Sequence, residues 1–133
     1  HSALGPVPVE LRCEPTLEFS IFPTKVSQII NNLVVNAAQA CDDENNPEII
    51  LEAVRNNNSL EITVSDNGPG ISEELRSKIF DPFFTTKEVG AGTGLGLALC
   101  KRFADEMGGE LKLVEVASPG AMFSLRLPGP KEN

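Results

Sequence analysis

The sequence predicts an α+β fold, a two-layer sandwich with helices on one face of a mixed, mainly antiparallel sheet. Strand-like segments come in pairs, within residues 6–22, 49–64 and 111–127. Segments with one apolar helical face, near 23–40 and 95–107, separate these pairs. A doubly wound parallel sheet requires a crossover helix after each strand, so the paired strands argue against that fold.

Length and composition predict one domain, 1–133, with 41% apolar and 23% charged residues. A formal net charge of −8 argues against nucleic-acid binding, which needs a cationic surface. No apolar run approaches the roughly 18 residues of a membrane span, so we expect no membrane contact by this domain. The chain starts with His1 and not Met, which suggests part of a longer protein.

The histidine and the cysteines indicate no catalytic or metal site. His1 is the only histidine and is terminal. Cys13, Cys41 and Cys100 lack metal-ligand spacing, and an odd number without a secretion signal favours reduced thiols.

The first half of the chain predicts short strands followed by one long helix. Residues 6–22 suggest two strands, and Pro23 is well tolerated at a first helical position. Apolar side chains then recur at three- and four-residue steps as far as Ala40, which indicates one buried helical face. Asn32 and Asn36 lie one turn apart at the edge of that face.

The second half predicts two strand pairs around a lid and a helix. Strands over 49–54 and 60–64 lead directly to Asp66, and a short helix follows Ser72 and ends near Ile79. The second amphipathic helix stops at a pair of glycines. The last strands cover 111–116 and 122–127, and we expect a polar, frayed tail over 128–133.

Asp66 is the first candidate for chemistry. A carboxylate at the end of a buried strand can accept a hydrogen bond from an exocyclic amine such as adenine N6. Gly68 and Gly70 would let a flat base approach the main chain. On these residues alone, an ordinary strand-to-turn segment remains an alternative.

A second glycine cluster, 92–97, stands immediately before the second long helix. Backbone N–H groups at a helix start suit a phosphate chain, although a simple helix cap is the other interpretation. The amide oxygen of Asn36 is a ligand that Mg²⁺ accepts beside phosphate oxygens, and its alternative is a satisfied polar residue at a helix edge. Lys87 is a candidate phosphate counter-charge or a solvated loop lysine.

Phe80, Phe83 and Phe84 lie between the two glycine clusters, with Pro82 fixing the local backbone. They could stack on a base, but core packing under a lid is the favoured interpretation. The lid, 71–91, is predicted to become ordered around a triphosphate.

In their order along the chain, these motifs resemble the ATP-binding catalytic domain of sensor histidine kinases. That family belongs to the Bergerat-fold group of kinases and ATPases, and the similarity covers about Val7 to Pro128. The matching segments look like the asparagine box, the first glycine box, the phenylalanine box and the second glycine box of the family, at 28–38, 66–70, 80–87 and 92–97.

The resemblance implies ATP and Mg²⁺ as ligands and supplies a role for each matching position. Asn36 would bind the metal, Asp66 would read adenine, and Lys87 would lie near the triphosphate. The catalytic candidates are Asn32, Asn36 and Lys87. The candidate nucleotide-binding residues are Asn36, Asp66, Gly68, Gly70, Ile71, Phe84, Lys87, Gly92, Thr93, Gly94, Leu95, Gly96 and Leu97.

One position decides between subfamilies, and two departures qualify the resemblance. Asn32 occupies a position where ATP-hydrolysing relatives carry a water-activating glutamate, and an amide cannot take that proton. Ala121 follows Gly120 where relatives often have threonine, so a hydroxyl near the adenine is absent. No segment resembles the phosphoacceptor helix, so we expect no autophosphorylation by these 133 residues alone.

The leading hypothesis is therefore a domain that presents the γ-phosphate of ATP to a histidine on a separate helical dimerisation and phosphoacceptor domain. A response regulator would then be an indirect partner. A serine kinase of the anti-sigma-factor type and a non-catalytic nucleotide-binding module are the alternatives. The resemblance implies a cytoplasmic domain and leaves open an inner-membrane anchor in the parent protein.

Overall fold

A computed structural model describes residues 8–13, 23–41, 46–82, 96–114 and 120–129. It contains five strands and three helices within these ranges. Their bounds are β1 Val9–Cys13, α1 Pro23–Ala40, β2 Ile49–Asn56, β3 Ser59–Asp66, α2 Glu73–Arg76, α3 Gly96–Glu106, β4 Glu110–Val114 and β5 Ala121–Pro128.

The strands form one mixed sheet in the order β1-β2-β3-β5-β4. β1 pairs with β2 in parallel, and the other three pairs are antiparallel. The predicted mixed, mainly antiparallel sheet is thus confirmed. The second of the two early strands predicted within 6–22 lies outside the described residues.

The core lies between the sheet and two helices. Alternate residues of β3 and β5 point to one face, because strand side chains have a period of two. On that face, apolar side chains from the sheet, α1 and α3 form one cluster. Its most deeply buried members include Ile29, Leu33, Ile49, Val64, Leu111 and Leu125.

The turn between β2 and β3 is tighter than the sequence indicated. Both strands extend to within two residues of each other, and Asn57 takes a positive φ of 57°. Asparagine tolerates the left-handed conformation better than other residues with a side chain. β3 is also longer than predicted and includes Asp66 as its last residue.

Candidate nucleotide-binding site

Asp66 lies on the helix-covered face of the sheet. It continues the row formed by the buried side chains of Leu60, Ile62 and Val64, since positions two apart share a face. The residue is half-buried. β3 therefore carries this carboxylate to the edge of the space between sheet and helices.

The turn after Asp66 is held against the end of α1. The Gly68 N–H donates to Asp66 Oδ1 at 2.9 Å. A Cβ on Gly68 would lie 2.6 Å from the Ala40 carbonyl oxygen, closer than any side chain permits. The absence of a side chain at Gly68 thus sets the contact between this turn and the C-terminus of α1.

Gly70 and Gly120 bring a third segment to the same place. Ala121 pairs with Asp66 across β3 and β5, and it is buried. A Cβ on Gly120 would lie 2.2 Å from the Asp66 carbonyl oxygen, and one on Gly70 would lie 2.8 Å from the Gly120 carbonyl oxygen. Gly70 has a φ of 83° and Gly120 a φ of 119°, which other residues rarely adopt.

Asn32 joins α1 to the first turn of α3. Its Nδ2 donates to the Gln28 carbonyl oxygen at 3.0 Å. A Cβ on Gly96 would lie 3.4 Å from Asn32 Oδ1, so the two helices are in contact at the start of α3. Asn32 is half-buried at the edge of the apolar helix face, as the periodicity predicts.

Cys100 lies one turn further along α3 and is fully buried. Its Sγ is 3.9 Å from the Ile29 carbonyl oxygen, which accepts from the thiol. Burial raises the pKa of Cys100 to about 11, while a hydrogen bond with Asn32 acts in the opposite direction. The thiol is therefore protonated at neutral pH.

Asn36 is half-buried. It lies on α1 between Asn32, which contacts the start of α3, and Ala40, which contacts the turn after Asp66. Among the described residues, none forms a hydrogen bond with its side-chain amide. The described part of the chain contains no group of three or more His, Cys, Asp or Glu that could hold a metal ion. Asn36 instead offers a single hard oxygen, the type that Mg²⁺ takes together with phosphate oxygens and water.

α1 connects the two glycine-containing ends of the candidate site. Asn32 contacts the start of α3, and Ala40 contacts the turn after Asp66. The eight positions from Asn32 to Ala40 correspond to about 12 Å along a helix. Asn36 stands midway, one turn from each.

The motif-bearing chain matches one protein family along most of its length. Residues 22–131 fit the model of the histidine kinase-, DNA gyrase B- and HSP90-like ATPase family. The chain belongs to this family.

Curated relatives of this kinase-type domain are sensor proteins. The chain is 37% identical over 108 residues to the C4-dicarboxylate transport sensor protein DctB of Pseudomonas aeruginosa, covering 80% of the chain and 18% of that relative. It is 41% identical over 106 residues to the sensor histidine kinase GlnK of Bacillus subtilis, covering 77% and 25%. The chain therefore spans a quarter or less of the length of these proteins.

Solved structures that resemble this chain narrow the family assignment to the histidine kinase type. The catalytic domain of the histidine kinase ThkA superposes with a TM-score of 0.77 at 34% identity, covering 91% of this chain and 80% of that one. Full-length ShkA in complex with AMPPNP superposes with a TM-score of 0.77 at 26% identity, covering 93% and 26%. The expected fold is confirmed, and the chain is an ATP-binding catalytic domain of the histidine kinase type.

Several predicted site residues of the kinase domain cannot be placed. Six of them lie outside the described residues: Phe84, Lys87, Gly92, Thr93, Gly94 and Leu95. Gly96 begins α3, and Leu97 packs against the core cluster. The same cluster contacts Ile71, so this residue has a packing role.

The phenylalanine box of the kinase domain is divided between the core and the region that is not described. Phe80 packs against the core and meets Phe123 edge to face, with ring centroids 6.0 Å apart. Ile79 beside it is buried, so the early part of the predicted lid is attached to the domain. Phe83 and the rest of the lid, 84–91, lie outside the described residues.

Sequence reasoning missed Asn67, Gly120 and Cys100 as neighbours of the site. Asn67 is adjacent to Asp66, but its partners are main-chain groups some 20 positions away, which no local pattern reveals. Gly120 was considered only as the residue before Ala121, and its close contact with the Asp66 main chain was not expected. Within the described residues, no helix is both long and apolar enough to cross a membrane.

Proposed function

We propose that this domain binds ATP·Mg²⁺ between α1, the end of β3 and the start of α3. It presents the γ-phosphate to a histidine on a separate helical domain of the same kinase. The observation that carries the proposal is the placement of α1. This helix contacts the glycine turn beside Asp66 at one end and the start of α3 toward the other, with Asn36 between them.

Asp66 would read the adenine. A carboxylate can accept about four hydrogen bonds, and one of those at Asp66 comes from the Gly68 N–H. The adenine N6 amine offers a donor, whereas guanine carries a carbonyl oxygen at the corresponding position and would be repelled. Gly68 and Gly70 have main-chain atoms where a Cβ would be, so their part is to hold this turn in place beside the carboxylate.

The phosphates would lie along α1 toward the start of α3. The first N–H groups of α3 have no intrahelical partner and carry partial positive charge, which suits an anion. Gly92, Thr93, Gly94 and Leu95 precede that start and complete the proposed phosphate loop, with Lys87 as a counter-charge. Asn36 would hold Mg²⁺, which neutralises phosphate charge when bound.

The chemistry proposed is transfer and not hydrolysis. Asn32 has no carboxylate with which to take a proton from water, and its Nδ2 is bound to the Gln28 carbonyl oxygen. A neutral histidine nitrogen of the acceptor domain would attack the γ-phosphorus. The bond from that phosphorus to the β,γ-bridging oxygen breaks, which gives phosphohistidine and ADP. The domain contributes positioning and charge stabilisation.

The proposed setting is the cytoplasmic part of a longer sensor kinase. DctB and GlnK carry the word sensor in their names, and this chain corresponds to only a fraction of each. The acceptor helices and the response regulator that receives the phosphoryl group would complete the signalling step.

The test is calorimetric titration of the pure domain with ATP and Mg²⁺, followed by a phosphorylation assay. Wild type should bind ATP without appreciable turnover. Asp66→Ala should weaken binding by at least about tenfold, the equivalent of one charge-assisted hydrogen bond. Asp105→Ala is the matched control, because Asp105 is an exposed carboxylate on α3.

Addition of a matching acceptor domain and labelled ATP then identifies the reaction. Acid-labile label on histidine supports the proposal. Acid-stable label on serine would indicate the anti-sigma-factor type of kinase, and no label would indicate a binding module. Brisk ATP hydrolysis by the isolated domain would contradict the role assigned to Asn32.

A further inference from the structure

Asn67 connects the turn after β3 to the segment that leads into β2. Its Oδ1 accepts the Glu48 N–H at 2.8 Å, and its Nδ2 donates to the Asn46 carbonyl oxygen at 2.6 Å. The Asn67 backbone N–H also donates to the Glu48 carbonyl oxygen at 3.3 Å. One residue thus supplies three hydrogen bonds between two chain segments.

These bonds begin where the regular strand pairing ends. The register of β2 and β3 runs from Asn56 opposite Ser59 to Ile49 opposite Asp66. Terminal strand pairs fray unless their free backbone groups find partners. Asn67 supplies these partners with its side chain, and it does so directly beside Asp66.

Asp66 is thereby held on both sides. On the β5 side, Gly120 packs against the Asp66 carbonyl oxygen and Ala121 pairs with the residue. On the β2 side, Ile49 pairs with Asp66, and Asn67 continues the connection. Both partners of the Asn67 amide are backbone groups, so its contribution to a ligand would pass through Asp66 and Gly68.

We propose that Asn67 is a positioning residue for ATP recognition, which fixes the direction of the Asp66 carboxylate and the turn at Gly68. The proposal rests on the function assigned above to Asp66. If Asn67 is lost, the end of β3 becomes free to shift relative to β2. The carboxylate would then no longer be held at the position where an amine is distinguished from a carbonyl.

The test compares ligands that use different ends of the site. Asn67→Ala should weaken ATP binding about tenfold, the size of the two lost side-chain bonds after solvent replaces part of them. The ratio of ATP to GTP affinity should fall by a similar factor. Affinity for inorganic tripolyphosphate with Mg²⁺ should stay within about twofold of wild type, because the phosphate end does not involve this turn.

Two further variants separate positioning from general stability. Ser59→Ala removes a turn hydrogen bond, from Ser59 Oγ to the Asn56 carbonyl oxygen at 2.8 Å, at the opposite end of β3. It should lower the melting temperature and leave the ATP:GTP ratio unchanged. Asn67→Asp keeps the acceptor for the Glu48 N–H but sets a carboxylate against the Asn46 carbonyl oxygen, so its ratio should also fall. All titrations are made well below each variant's melting temperature.

The outcomes distinguish this inference from the proposed function. If Asp66→Ala lowers the ATP:GTP ratio and both Asn67 variants leave it unchanged, Asn67 is structural only and the inference is wrong. An equal loss of ATP and tripolyphosphate affinity in Asn67→Ala would also overturn it. If Asp66→Ala itself leaves the ratio unchanged, the adenine-reading role of Asp66 fails, and the inference fails with it.

Discussion

The two ends of the β3–β5 pair are held by the same kind of close backbone contact, and ligand binding is proposed for only one of them. At one end, Gly120 lies so close to Asp66 that a Cβ would be 2.2 Å from the carbonyl oxygen. At the other end, Gly109 is equally close to the Arg126 carbonyl oxygen, and Gly129 donates its N–H to Asn58. Close backbone approach alone therefore does not mark a ligand site.

The difference lies in what the close approach exposes. At the Asp66 end, the glycines leave a half-buried carboxylate beside a turn that contacts the C-terminus of α1. At the Asn58 end, the chain only completes turns, in which Asn56, Asn57 and Asn58 are exposed. The comparison suggests that the same glycine geometry supports stability at one end and both stability and recognition at the other.

The largest loss of ATP affinity is expected from replacing Gly120, the closest glycine at the Asp66 end. Gly120→Ala combines a contact of 2.2 Å with a φ of 119°, a conformation that costs roughly 1–3 kcal/mol for other residues. The displaced main chain belongs to Asp66, so we expect ATP affinity to fall about 100-fold. Calorimetry with ATP and Mg²⁺ measures the loss.

Gly109→Ala is its control at the far end. The added Cβ meets the Arg126 carbonyl oxygen, also at 2.2 Å. This variant should be destabilised and yet bind ATP within about threefold of wild type at a temperature where both proteins are folded. Equal loss of affinity in the two variants would show that the site depends on global stability and not on the Asp66 end.

A second matched pair is expected to give a smaller effect. A Cβ on Gly68 would lie 2.6 Å from the Ala40 carbonyl oxygen, and a Cβ on Gly129 would lie 2.6 Å from the Asn58 carbonyl oxygen. Gly68→Ala should reduce ATP affinity about tenfold, because the turn must move away from α1. Gly129→Ala should have no effect on affinity, and a loss in both would contradict the comparison.

The fold could be predicted well because its signals are periodic. The apolar face of α1 gave its extent from Pro23 to Ala40, and the pairing of strands excluded a doubly wound sheet. The parallel pairing of β1 with β2 and the position of β5 between β3 and β4 could not be derived. They depend on contacts between distant segments, and no turn signal specifies them.

The candidate site was predicted in its parts but not in its supports. Asp66 and Asn36 were identified from residue chemistry, and the structure places them on the elements expected. The contacts of Gly120 and Asn67 were missed because each depends on one specific approach of main chain from elsewhere. The phosphate loop from Gly92 to Leu95 stays a prediction.

A hydroxyl at position 121 tests whether the Asp66 end of the β3–β5 pair can be made to bind ATP more tightly. Ala121 is buried and pairs directly with Asp66, so Ala121→Thr would place a donor beside the carboxylate. We expect ATP to bind about threefold more tightly, which corresponds to part of one hydrogen bond. Ala121→Val has nearly the same volume and carries the same overpacking cost without the hydroxyl. Equal affinities for the two variants would refute the assigned geometry.

The smallest expected effect is on the free energy of unfolding and concerns the contact between α1 and α3. This contact differs between the start of α3, which belongs to the candidate site, and the end of α3, which is called the far end here. At the far end, Lys25 and Glu106 form an exposed ion pair at 3.0 Å. At the site end, the contact between α1 and α3 is uncharged and includes Cys100, whose burial raises its pKa from 9.0 to about 11. The protonated thiol is the form favoured by folding, so its contribution is complete below pH 9 and is lost as the pH rises through 11.

Urea unfolding between pH 8 and pH 11 measures this contribution. Wild type should lose more unfolding free energy over that interval than Cys100→Ser, since the serine hydroxyl does not titrate there. The comparison of slopes cancels the contribution of every group that the two proteins share. Cys13→Ser is the matched control, because it makes the same replacement at an exposed cysteine, and it should follow the wild-type slope. Parallel curves for wild type and Cys100→Ser would mean that folding does not favour the protonated thiol at the start of α3.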